Sequence, residues 1–106
     1  MGYTRTEEMN KLFETILKLD NIEECYSFFE DICTIQELES LSQRLQVAKM
    51  LTEKRVYSDI VAQTGASTAT ISRVNRCLKY GSDGYNKALD QLEANRHPGV
   101  TDRRRS

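Results

Sequence analysis

The sequence predicts an all-α fold of six helices, and three observations carry that prediction. Apolar residues recur at i, i+3 and i+4 along most of the chain, the spacing of a helix with one buried stripe. Nowhere do they alternate with polar residues as in a half-buried strand. The single proline, Pro98, sits near the C-terminus, so most of the chain is free to be helical.

Met9, Leu12, Phe13, Ile16, Leu17 and Leu19 place a first helix over about residues 5–19. Asp20 or Asn21 is suited to cap a second, with Ile22, Cys25, Tyr26, Phe29, Ile32 and Cys33 on its apolar face. Thr34-Ile35-Gln36-Glu37 has the form of a capping box. It opens a longer third helix through Leu38, Leu41, Leu45, Ala48 and Leu51. Shorter helices are expected near Ser58–Thr64 and Ser67–Tyr80. Gly81-Ser82-Asp83-Gly84 interrupts the pattern, and Tyr85, Ala88, Leu89 and Leu92 mark a sixth helix. The helical domain is expected over residues 1–93, and residues 94–106 are too polar to pack and are expected to be disordered.

Phe13, Ile16 and Leu17, then Tyr26, Phe28 and Phe29, make wide apolar faces on the first two helices. A chain of 106 residues has little interior with which to cover them. A second copy would cover them, so a homodimer joined through the N-terminal helices is expected. The competing arrangement is a six-helix monomer that packs these faces internally.

Composition narrows the function. Hydrophobic content of 39% and charged content of 29% are ordinary for a globular protein. No apolar run approaches the ~20 residues of a membrane span, and the N-terminus lacks a signal-peptide core, so a cytoplasmic location is expected. Cys25, Cys33 and Cys77 are odd in number and lack C-x-x-C spacing, which argues against a disulfide framework or a structural zinc. With a lone histidine (His97), no G-x-x-x-x-G-K, no H-E-x-x-H and no G-x-S-x-G, there is no basis for an enzyme. Paired acids such as Glu7-Glu8, Glu23-Glu24 and Glu30-Asp31 read as solvated helix faces. No cofactor, metal or membrane partner is expected.

The net charge of −1 hides a division. Residues 1–42 carry ten acids and three bases, whereas residues 43–80 carry seven bases and two acids. A basic middle suggests a localised anion-binding surface, unless folding mixes the two sets. Within it lies YSDIVAQTGASTATISRVNR, from Tyr57 to Arg76. Ile60, Val61 and Thr64 are expected to face inward from a short helix, Gly65 supplies the positive φ of a tight turn, and Ser67 or Thr68 caps the next helix. In that second helix Ile71, Val74 and Leu78 face inward, which leaves Thr68, Ala69, Ser72, Arg73 and Arg76 outside. This is the order of a helix-turn-helix, over about residues 57–80, whose second helix fits a major groove. An ordinary polar αα-turn is the plainer alternative. In the first case Ser67, Thr68, Ala69 and Ser72 stand where small side chains approach base edges. Arg55, Arg73, Arg76 and Lys79 stand where they reach phosphates or guanine.

Leu41-Ser42-Gln43-Arg44-Leu45, Tyr57-Ser58-Asp59-Ile60-Val61 and the run from Thr64 to Leu78 together resemble the tryptophan-repressor superfamily, most closely its YerC/YecD branch of repressor-like proteins. The likeness spans roughly residues 5–93 and is strongest over 38–80. It implies an intertwined homodimer of six-helix protomers that binds double-stranded operator DNA and regulates bacterial transcription. The superfamily's tryptophan-binding members flank the indole with two arginines, matched here by Arg44 and Arg73. They follow the second with a glycine and, three residues on, a serine; this chain has Val74 and Cys77 there. Valine fills space, and cysteine bonds weakly where a hydroxyl would pair the ligand's amine, a loss of about 1–3 kcal/mol when buried. The expected function is therefore a sequence-specific DNA-binding regulator that does not answer to tryptophan. Arg44 and Arg73 are left to hold another anionic effector, contact phosphates or pair within the protein. The alternative function is a helix-turn-helix dimer that binds another protein and no specific DNA.

Overall fold

The computed structural model describes residues 3–95, Asn95 in backbone only. Its helices are α1 (Glu7–Leu17), α2 (Ile22–Ile32), α3 (Ile35–Thr52), α4 (Tyr57–Thr64), α5 (Thr68–Tyr80) and α6 (Gly84–Asn95). The six-helix, strand-free architecture matches the sequence expectation among the described residues. The C-terminal tail expected to be disordered lies, from residue 96, outside them.

Side-chain caps set the helix starts. Thr6 Oγ1 accepts from the Met9 amide at 3.1 Å, so α1 begins at Glu7, not near residue 5. At its far end the Lys18 and Leu19 amides fall back on the i−3 carbonyls of Thr15 and Ile16, which tightens and ends the helix. Of the two candidate caps for α2, Asn21 takes the role, accepting from the Glu24 amide at 2.9 Å. The capping box of α3 closes in both directions: Thr34 Oγ1 accepts from the Glu37 amide, and Glu37 Oε1 accepts from the Thr34 amide.

The interior lies entirely in α3–α6. Val47, Ala48 and Met50 of α3 meet Ile60, Ala66, Ile71, Val74 and Leu89, with Leu51, Tyr57, Leu78 and Tyr85 half-buried around them. α3 is the spine of this unit and packs on α2, α4, α5 and α6. Its expected stripe is only partly inward: Ala48 is buried, but Leu41 and Leu45 are exposed, because the side of α3 that meets the core carries Val47 and Met50 instead. Neither α1 nor α2 buries a single residue. Phe13, Leu17, Ile22 and Tyr26 are 59%, 81%, 68% and 56% exposed, and Ile32, Ile35, Leu41 and Leu45 extend this bare apolar surface.

Two features lock the lower half. Lys49 Nζ donates to Glu53 at 2.9 Å and to Glu93 at 3.4 Å, tying α3 to α6. The hydrogen bond to Glu53 holds the ammonium above the ordinary lysine value, and the same bond holds the Glu53 carboxyl below its own. The Lys49–Glu53 pair is therefore charged at neutral pH, and is lost as pH falls through the lowered Glu53 value or rises through the raised Lys49 value. Gly65 ends α4 at φ +75°, and its amide bonds the Val61 carbonyl at 2.9 Å. A Cβ at this position would meet nothing within 4 Å, so conformation alone demands glycine. Gly65→Ala is expected to lower unfolding free energy by about 1–2 kcal/mol. Gly65→Asn is expected to lose less, since asparagine tolerates the left-handed region. Denaturant titration of the three proteins checks the order.

Candidate nucleic-acid interface

α4, the turn at 65–67 and α5 form a compact pair braced against α3. α5 starts because Ser67 Oγ accepts from the Thr70 amide at 3.1 Å, and its own proton goes to Thr70 Oγ1 at 3.1 Å. Ser67 is thus a cap before it is anything else. Ala66, in the turn, is buried and pins the loop to the core. On α5, Ile71 and Val74 are fully inward and Leu78 half-buried.

The inward set expected for α4 needs one correction. Ile60 is buried and Thr64 half-buried, but Val61 is 37% exposed. Successive helical residues differ by ~100°, and an eight-residue helix that meets the core along one edge buries only one of two neighbours.

The outward face of α5 matches its expected chemistry. Thr68, Ala69, Ser72, Arg73, Arg76 and Lys79 are all exposed. The sequence of α5 holds three cations and no carboxylate. Among the described residues none of Arg73, Arg76 and Lys79 enters an ion pair. Small side chains at the leading turn and unneutralised cations beyond it share one solvent-facing surface, backed by a packed apolar one.

Arg55 is placed differently from its fellow candidates. Its Nε donates to Asp59 Oδ2 at 2.6 Å, and Glu53 lies 3.8 Å from its Nη1. The hydrogen bond to Asp59 raises the guanidinium further above its already high value. Two carboxylates therefore compete with any phosphate for this side chain. The i, i+4 spacing of Arg55 and Asp59 is the sequence signal for that pairing. Asp59→Asn is expected to loosen Arg55 and, if the arginine of each protomer then reaches a phosphate, to steepen the salt dependence of DNA binding by about two units for a dimer. A titration of Kd against salt for the variant and its parent measures this.

The four positions matched to a ligand pocket differ in exposure. Arg44, half-buried on α3, reaches Ser40 Oγ at 3.4 Å. Arg73 and Cys77 face solvent, whereas Val74 is 1% exposed within the core beside Val47, Ala48 and Ile71. Among the described residues no helix is long and apolar enough to cross a membrane.

A capped, glycine-turned helix pair with a cationic leading face, mounted on an all-helical scaffold, defines a protein of the helix-turn-helix class. Residues 7–93 match the family model described as Trp repressor protein, and the chain belongs to that family. It is 57% identical over 89 residues to YerC of Bacillus subtilis, a protein described as uncharacterized, covering 84% of this chain and 86% of that one. Among solved structures it is similar to a TrpR-like protein from Eubacterium eligens, with a TM-score of 0.82, 57% identity, and 84% and 92% of the two chains covered. A putative Trp repressor from Staphylococcus aureus is similar at a TM-score of 0.82 and 53% identity, covering 84% and 89%.

Proposed function

We propose that the protein is a sequence-specific, DNA-binding transcriptional regulator of the bacterial cytoplasm that acts as a homodimer and does not respond to tryptophan. The observation that carries this reading is the outward face of α5: three cations that form no ion pair among the described residues, no acid in the helix, and Thr68, Ala69 and Ser72 exposed at the leading edge. Such a helix positions itself by phosphates and reads base edges with short side chains. Dimerisation is supported by the bare apolar surface of α1, α2 and the first half of α3, which nothing among the described residues covers. Two copies present two recognition helices about 34 Å apart, on successive turns of the duplex. Val74 and Cys77 support the loss of tryptophan response, because they stand where tryptophan-binding members carry a glycine and a serine.

Selection from random duplex DNA tests the proposal. An enriched palindrome with half-sites about one turn apart, bound equally with and without tryptophan, is the expected result. If no motif is enriched even at low salt, the protein-interaction alternative takes its place, consistent with a chain of net charge −1.

A further inference from the structure

The helix-turn-helix receives one hydrogen bond from a side chain outside it that is set into its turn. Gln43, half-buried on α3, donates from Nε2 to the backbone carbonyl of Thr64 at 3.1 Å. The acceptor is the last residue of α4, and its carbonyl is one of the four that a helix end leaves without an internal donor. Around it the turn is already knit from within. The Thr64 hydroxyl donates to the Ile60 carbonyl at 2.8 Å and accepts from the Ala66 amide at 3.0 Å. The Gly65 amide bonds Val61. These bonds fix the turn's shape, but none of them fixes where the turn stands relative to the rest of the protomer. Ala66 holds it by packing alone, which resists separation and tolerates sliding. The Gln43 bond is directional and spans 21 residues of sequence, from scaffold helix to reading head.

We infer that Gln43 is a positioning residue for DNA recognition: it indexes the turn, and with it the N-terminus of α5, against α3. This rests on the DNA-binding reading of α5. Base readout depends on placement of the first turn of that helix, where Thr68, Ala69 and Ser72 stand, whereas phosphate attraction by Arg73, Arg76 and Lys79 tolerates displacement. Loss of the clamp therefore falls on specific affinity and spares the sequence-independent component. The occupied state is preorganised, so its removal adds an ordering cost to each specific binding event.

The test compares the full chain with Gln43→Met, which keeps length and packing but removes the donor, and with Gln43→Glu, which sets a carboxylate against the carbonyl. For Gln43→Met, affinity for the selected operator is expected to fall about five- to tenfold, the scale of one net hydrogen bond. Affinity for random duplex stays within about twofold, and amide exchange quickens at residues 64–68 but not in α3. Gln43→Glu loses more of the same specificity ratio. Equal losses on operator and random DNA, or unchanged operator affinity with unchanged exchange in the turn, would overturn the positioning role. A parent chain that selects no operator overturns the DNA reading itself, an outcome separate from either of these.

Discussion

A chain carrying Phe13→Asp and Tyr26→Asp is expected to run as a monomer at concentrations where its parent is a dimer. Both side chains lie on the bare face of α1 and α2, more than half exposed in the isolated protomer. Fully burying a large apolar side chain is worth ~1.5–3 kcal/mol, so covering the exposed part of four of them per dimer contributes about 5 kcal/mol. Removing that contribution weakens association by about five-thousandfold before any penalty for buried carboxylates is added. The parent's thermal midpoint should rise with protein concentration, and the variant's should not. Sedimentation velocity and melting over a hundredfold concentration range decide the matter. A variant that remains as dimeric as its parent would move the subunit contact away from this face and reopen the monomer alternative.

The second large effect concerns α5. Replacing Arg73, Arg76 and Lys79 together by alanine deletes the three cations of α5, none of which a carboxylate among the described residues neutralises. Each phosphate contact contributes about 0.9 to the slope of log K against log salt. A dimer that loses all six loses up to about five units of slope, and at least about a hundredfold in affinity near physiological salt. All three side chains are solvent-facing, so helicity and oligomeric state are expected to persist. Retained slope with lost affinity would assign these residues to base contacts instead of the backbone.

What the sequence makes legible is local. Thr34 and Glu37 form the box their spacing announces, Gly65 adopts the left-handed turn that its place between two helices requires, and Ser67 caps α5. Each of these is decided within four residues, where spacing and chemistry suffice. The misplacements come where a tertiary neighbour decides. Leu41 and Leu45 satisfy the same periodicity as core leucines, but periodicity cannot say whether the covering surface belongs to the same chain. Val61 and Ile60 are equivalent in composition, and only the line along which α4 meets the core separates them. Arg55 counts as a free cation in a tally of charge and as a partnered one in space. The Gln43–Thr64 bond had no sequence signal, since a glutamine in a helix and a carbonyl 21 residues on carry no mutual pattern. The family resemblance supplied what periodicity could not, namely the six-helix arrangement around the turn.

The division of labour between the halves also has an order in time. The ribosome releases α1 and α2 first, yet among the described residues the first fully buried side chain is Val47 and the last core residue is Leu89. At translation speeds of ~5–20 residues per second, the stretch between them takes roughly two to nine seconds to emerge. Through that interval Phe13, Leu17, Ile22 and Tyr26, all more than half exposed in the protomer, find no covering surface among the described residues of their own chain. A sibling chain emerging from the next ribosome on the same messenger offers that surface first, so the homodimer proposed here is suited to begin assembling during synthesis rather than after release.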